Sequence, residues 1–406
     1  MAVIGGGASG MAAALQAAWR GATVTVFERN AVLGRKLLVT GSGRCNITND
    51  GASAEKYTCA DPEWMTVLLA GFGVQALRGM LQKIGIPLYK TSDGWYYPLS
   101  NSAQTVVDSF ASALALAGVT VRFSNRVAVI SSTGNGLTLH LAAEGSGKQE
   151  TFEKVIVAAG GKAYPSLGAR GELFPALERL GLTVLPKRPA LAPVLADLRS
   201  LKALLGVRLD AGTELWDDKK RLATAAGNLI FTEWGLNGPA VMDISHYISA
   251  LPGRPLVLSL NLLSFFESEF HELLKQKRGT QTPIKVFLGA FFPPKAASLY
   301  PTLKNIPAAT PLDQIDEKSL QGLIGILKDT RLPVKGVREF EYCQLSAGGV
   351  PVTEVDPRTM ESEKVKGLYL AGETLDVVGP CGGYNLQFAF ASGALAGMAA
   401  AGDSPR

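Results

Sequence analysis

Near the start of the chain, Gly5-Gly6-Gly7-Ala8-Ser9-Gly10 stands between the apolar residues Ala2 to Ile4 and the breaker-free run MAAALQAAWR. The spacing is G-x-G-x-x-G, and with a strand before it and a helix after it the chemistry is pyrophosphate binding. Gly5 permits a tight turn, Gly7 lets the backbone come close to the phosphates, and Gly10 lets the helix pack on the strand. Ala8 and Ser9 open the helix, whose first N–H groups and positive dipole end face the anion. Glu28 follows a second apolar run, Ala22 to Phe27. An acid at that distance accepts hydrogen bonds from both ribose hydroxyls and disfavours a 2′-phosphate, so the ligand is FAD or NAD rather than NADP.

The residues after Glu28 form an anion-binding loop by composition. Arg35 and Lys36 can meet phosphate oxygens, Arg29 beside them is a further cofactor-binding candidate, Gly41 and Gly43 allow close backbone approach, and Asn46 follows in GRCNITN. The far end of the chain repeats the logic. Lys154 to Val157 reads as a buried strand closing on Ala158-Ala159-Gly160-Gly161, and Leu368 to Leu370 as a short strand leading to Gly372 and Glu373, an acid able to hold a ribityl hydroxyl. Then Gly382-Gly383 turns into a small-residue helix whose Asn385, Leu386 and Gln387 N–H groups could stabilise charge at a reduced flavin ring. Nucleotide-side strands at both ends imply one FAD domain interrupted by an insertion.

The positioning elements form an α/β pattern. Further strands are expected at Val119 to Phe123 and Val127 to Ser131. From Pro186 to Leu263 the short alternating segments Val207 to Leu209, Leu229 to Thr232 and Leu256 to Leu260 read as β-rich. From Ser264 to Leu327, FFESEFHELLKQKR and LDQIDEKSLQGLIGILKD read as amphipathic helices around a Pro-rich middle. The expected division is 1–186 with 346–406 for the FAD domain, 187–263 with 328–345 for an inserted β-rich domain, and 264–327 for a helical subdomain. The loops FTEWGLNGP (Phe231 to Pro239) and SAGGV (Ser346 to Val350) are candidate substrate walls, with Glu233 and Trp234 set against a plain packing role.

Bulk properties narrow the function. With 406 residues, 47% hydrophobic and 18% charged, the chain can bury a large core. A net charge of +5, without a block of like charges, gives no nucleic-acid arm. There is no basic leader and no run of 18 apolar residues, so a cytoplasmic protein outside the membrane is expected. Cys45, Cys59, Cys343 and Cys381 make no CxxC pair, and His140, His246 and His271 share no ligand spacing, so no metal site is expected. No His, Tyr or Lys is marked as a general base. A second complete G-x-G-x-x-G is missing; Gly134-Asn135-Gly136 sits in a hairpin context.

Six stretches, GGGASG, GRKLLVTGSGRCNITN, VIVAAGGKAYPSLGARGE, LIFTEWGLNGPAVMDIS, SAGGVPVTEVDPRTMESEKVKGLYLAGETLD and GGYNLQFAFASGALAG, resemble the bacterial BaiN/RdsA-type flavoproteins, also described as aminoacetone-oxidase-type FAD-binding enzymes. The resemblance implies a Rossmann-like FAD domain of the two-dinucleotide-fold type carrying a β-rich insertion and a helical piece. It also implies FAD contacts at Ser9, Glu28, Arg35, Lys36, Gly43, Asn46, Val127, Glu373, Asn385 and Leu386, with Val127 against the adenine. In place of the family's Thr before Gly-Gly-Tyr-Asn stands Cys381, a thiol beside the flavin or simply a small packed residue, and Cys45 is read the same way. The leading expectation is an FAD-dependent oxidoreductase acting on a small organic substrate, oxidase or reductase, with FAD held non-covalently and NAD(P)H a candidate electron donor. An FAD-dependent tRNA-modifying enzyme and a non-enzymatic flavin sensor are the alternatives.

Overall fold

The computed structural model describes residues 1–134, 136–142 and 148–402. The chain divides into two compact units, Met1–Arg188 with Gln344–Arg406, and Pro189–Cys343.

The first unit is built on a five-stranded parallel sheet in the order Leu368–Leu370, Val155–Val157, Ala2–Ile4, Thr25–Phe27, Thr120–Arg122. Ala2–Ile4, Val155–Val157 and Leu368–Leu370 are buried throughout, as a parallel sheet covered on both faces requires. This is the expected α/β, Rossmann-type architecture. The second strand is shorter than the alternation from Ala22 suggests, because Arg20, Gly21 and Ala22 donate to Ala17 and Ala18 carbonyls and spend those residues on the helix's closing turn.

The first helix, Ala8–Trp19, buries Ser9 through Ala17. Its partner is the last helix, Tyr384–Ala401. A Cβ on Gly393 would come within 2.1 Å of the Ser9 carbonyl oxygen, and one on Gly397 within 2.1 Å of that of Ala13. Two glycines spaced i, i+4 therefore let the backbones of the first and last helices touch, which brings the two chain ends together at the glycine motif. The strands Arg126–Thr133 and Gly136–Ala142 pair antiparallel, while Asn135 of the sequence's second G-x-G lies outside the described residues. The stretch Pro62–Lys83, 22 residues long, is apolar enough for a membrane span by length and composition. It breaks into two helices, Pro62–Gly71 and Val74–Lys83, at Phe72 and Gly73.

The second unit is a closed six-stranded barrel in the order Val194–Ala196, Gly235–Asn237, Lys220–Thr232, Arg208–Asp217, Leu256–Asn261, Thr330–Val337. Leu209, Ala211, Thr213 and Leu215 face inward in strict alternation. The helices Glu267–Lys277, Ile284–Leu288, Pro294–Thr302 and Glu317–Lys328 share one hydrophobic core with the barrel, and Tyr300 is fully buried within it. The first part of the Pro-rich middle is thus helical: Pro294 occupies the first turn of Pro294–Thr302, where its missing N–H costs nothing, while Pro307 and Pro311 lie in the connection that follows.

Two sequence-level loops are corrected. FTEWGLNGP is a tight hairpin of the barrel in which Phe231 pairs with Leu236 and Thr232 with Gly235. Glu233 is exposed at its tip, and the Arg338 guanidinium lies 4.8 Å from the centre of the Trp234 ring. SAGGV is largely the strand Leu345–Gly349, buried along its whole length. Alternation fails as a guide there because both faces are covered.

Candidate FAD site

The three motif glycines are held for three different reasons. Gly5 sits at φ +103°, and a Cβ on it would meet the Ala158 carbonyl oxygen at 2.4 Å and the Ala159 Cα at 3.1 Å. Gly10 is tighter still, 1.8 Å from the Gly5 carbonyl oxygen. Gly7, at the helix N-cap, has nothing within 4 Å of an added Cβ. The middle glycine therefore faces open space, while its two neighbours are closed by the fold's own backbone. No side chain caps this helix, so the first-turn N–H groups at Ala8, Ser9 and Gly10 are left for a ligand.

Glu28, 6% exposed, is gripped by its own surroundings. One carboxylate oxygen accepts from the Gly6 N–H at 2.7 Å, and the other accepts from the Asn30 N–H and side-chain amide, each at 2.7 Å. Arg35 donates to the Asn30 Oδ1 at 3.0 Å and so braces the same acid at one remove. Ser124 and Asn125 donate to the Asn30 and Glu28 carbonyls at 3.0 and 2.9 Å. They lead into Arg126–Thr133, and buried Val127 lies near the start of that strand. Arg29 turns elsewhere: its guanidinium reaches Glu172 at 3.1 Å and the Gly168 carbonyl at 3.2 Å.

The loop after Lys36 is compact and left-handed. Gly41, Ser42, Gly43 and Cys45 have φ of 56°, 58°, 84° and 62°, and two of these are not glycine. Such a run costs free energy that its surroundings must return. A Cβ on Gly43 would find only the Leu38 carbonyl, at 3.9 Å. Asn46 is 8% exposed, and its Oδ1 is buried without a partner among the described residues. Its neighbours include Gly41 and Gly383; a Cβ on Gly383, at φ +97°, would lie 2.8 Å from that oxygen.

The two chain ends meet at Glu373. Lys36 pairs with one of its carboxylate oxygens, and the Ser346 N–H and Oγ donate to the other at 2.8 and 2.9 Å. Gly372, at φ +64°, lies against Ser9, and its N–H donates to the Ser392 Oγ at 2.9 Å. Gly160 is left-handed and loosely packed: a Cβ on it would meet only the Ala169 Cβ, at 3.8 Å. At the last helix, Asn385 closes its own loop: its amide donates to the Gly379 and Pro380 carbonyls at 2.8 and 3.2 Å, and its Oδ1 accepts from the Gly379 N–H at 2.8 Å. The backbone N–H groups of Asn385 and Leu386 lie in that helix's first turn, where no helical partner exists. Gln387 is a correction, since its N–H bonds to the Gly383 carbonyl at 2.9 Å. Its buried side chain instead accepts from Thr48 at 2.7 Å and donates to the Phe72 carbonyl at 3.1 Å.

Most candidate residues thus gather around the first sheet; of the candidate cations, Arg29 is spent on Glu172 and the Gly168 carbonyl, and Lys36 on Glu373. Sequence reasoning missed Asn30, Ser346 and the Gln387 side chain. Ser346 stood in a motif already singled out, but nothing local linked it to Glu373. Burial pushes the Cys45 thiol up to about 12, partly opposed by a hydrogen bond with Thr40, so this cysteine is a thiol at neutral pH and not a nucleophile. Among the described residues no group of His, Cys, Asp or Glu gathers to hold a metal.

An open Gly7 cradle, two helix N-termini without side-chain caps and the orphaned Asn46 oxygen all suit a long dinucleotide with polar groups along its length. Together with the parallel sheet, the family match and the relatives that follow, they define an FAD-dependent oxidoreductase. The family of HI0933-like proteins, described by its Rossmann domain, matches residues 1–399, and the chain belongs to it. The chain is 33% identical to a 3-dehydro-bile acid Δ4,6-reductase of Clostridium scindens, covering 98% of each. It is 32% identical to a ribosomal RNA dihydrouridine synthase of Escherichia coli over 96% of this chain and 95% of that one. In fold it is similar to the 3-ketosteroid Δ1-dehydrogenase of Sterolibacterium denitrificans, with a TM-score of 0.53 over 98% of both chains at 12% identity. The BaiN/RdsA-type resemblance of the motifs is borne out.

Proposed function

We propose that this flavoprotein saturates a carbon–carbon double bond conjugated to a carbonyl, with a reduced nicotinamide as the electron source. The observation that carries this reading is the pair of full-length relatives: one name describes a reductase of steroid ring double bonds, the other the saturation of uridine. FAD, when bound, would supply two-electron hydride chemistry between a reduced nicotinamide and the conjugated double bond. The first unit's residues do the holding. The N–H groups of Ala8, Ser9 and Gly10 would hold the pyrophosphate, Glu28 the adenosine ribose, Val127 the adenine and Glu373 the ribityl chain. Asn385 and Leu386 present N–H groups to the charged edge of the ring. Gly41, Gly43, Asn46, Ala159, Gly160, Gly372 and Gly383 shape the cradle between.

The acceptor we favour is a small enone. A uridine in RNA is the second reading, and one arrangement supports it. Arg29, Arg126 and Arg170 surround the single carboxylate of Glu172, at 3.1, 3.1 and 3.9 Å, leaving an excess of positive charge from residues scattered in sequence.

The experiment is an anaerobic visible spectrum of the purified flavoprotein. NADH or NADPH should bleach it, and a 3-keto-4-ene steroid or deproteinised ribosomal RNA should then restore the oxidised spectrum. Recovery with the steroid alone supports the small-molecule reading, and recovery with RNA alone supports the second. Bleaching by a primary amine, with peroxide formed in air and no response to either acceptor, would overturn both.

A further inference from the structure

We infer that Ser346 is a positioning residue for the cofactor, the group that fixes the orientation of the Glu373 carboxylate. The inference rests on the assignment of Glu373 to the FAD site. Ser346 is 1% exposed and is one of the first residues of the first unit after the chain returns to it at Gln344. Its N–H and its hydroxyl both donate to the same Glu373 oxygen, at 2.8 and 2.9 Å. The hydroxyl's own orientation is set in turn, because its oxygen accepts from the Lys162 N–H at 2.9 Å. With one lone pair accepting from that amide and the Glu373 oxygen 2.9 Å away, the hydroxyl proton is directed at Glu373. Gly161 seals the arrangement: a Cβ there would fall 2.1 Å from the Ser346 Oγ and 2.7 Å from the Glu373 oxygen.

A carboxylate has about four acceptor positions. Two are filled by Ser346 and one by Lys36, leaving a single direction from which a further hydroxyl can donate. Without the Ser346 hydroxyl, Glu373 can rotate about its side-chain torsions and the free acceptor position is no longer unique. Ser346 need not touch FAD to matter; it acts through Glu373.

The test is a double-mutant cycle on FAD affinity, measured by quenching of flavin fluorescence as FAD is added to apoprotein. Ser346→Ala should raise the Kd about ten-fold, as loss of a hydrogen bond to a charged group does. In a Glu373→Ala background the same change should move it less than about two-fold, because the group it orients is gone. Thermal melts of each apoprotein accompany the titrations. Ser346→Gly removes the same hydroxyl, so a misfolded alanine variant leaves the cycle intact. An unchanged Kd in Ser346→Ala, or a ten-fold loss that persists in the Glu373→Ala background, would overturn the inference while leaving the FAD site standing. Wild-type apoprotein that takes up no FAD would overturn both.

Discussion

At the scale of single residues, the acid at position 28 joins two kinds of work. Its two oxygens accept three hydrogen bonds from Gly6 and Asn30, so the chain itself fixes it before any ligand arrives. Glu28→Ala should therefore raise the FAD Kd at least about ten-fold, since it removes a charged acceptor and also leaves two backbone N–H groups unmatched. Titration of the apoprotein with FAD checks this, and an unchanged Kd would remove the acid from the site. Cys45 gives a prediction of the opposite kind. With its thiol pushed up to about 12 and no exposed surface, it should resist iodoacetamide at pH 8 in the folded protein and react fully in guanidinium, as read by peptide mass spectrometry. Glu28 was legible in the sequence because strand, glycine motif, helix, strand and acid follow one another locally. Glu373 was legible as an acid after a strand. Its pairing with Lys36 and Ser346 was not, because these contacts join residues far apart along the chain with no periodicity to mark them.

Among the elements, the contact between the first and last helices decides whether the two ends of the cofactor site meet. Alanine favours a helix over glycine by about 1 kcal/mol. At Gly393 that gain is outweighed, because the added Cβ would press to 2.1 Å on the Ser9 carbonyl, a backbone atom that cannot turn aside, and overpacking of this kind costs about 1–3 kcal/mol. Gly393→Ala should lower the Tm by several degrees and weaken FAD binding, whereas Gly79→Ala, with nothing within 4 Å, should leave both within error or raise the Tm. Equal melting temperatures for the two variants would refute the packing argument. The last helix was visible in the sequence as a run of small residues, but which helix they serve was not, since a small-residue face gives no address.

For the whole molecule, one contribution to acid stability comes from a carboxylate outside the cofactor site. Glu354 is 9% exposed, and burial alone would raise its pKa. Hydrogen bonds from Lys364 at 2.7 Å and the Thr183 N–H at 3.0 Å outweigh that, and the net direction is down. A carboxyl depressed in the folded state stabilises the protein above its unfolded pKa, near 4.3, and that stability is lost as pH falls through the lower folded value. Glu354→Gln should flatten the fall in Tm below about pH 4.5 relative to wild type; parallel curves would refute the assignment. The sequence foresaw a β-rich insertion but not its closure, which depends on register between its first and last strands. Val194 pairs with Val337, and the Arg338 N–H donates to the Pro193 carbonyl at 2.9 Å, so the excursion begins and ends at one place. The parallel pairing of Val155–Val157 with Leu368–Leu370 joins residues from opposite sides of that excursion. Each doubling of an open loop costs about 0.6 kcal/mol, so a barrel that zips shut first would act as a clasp, turning a long tether into a short one for Leu368–Leu370.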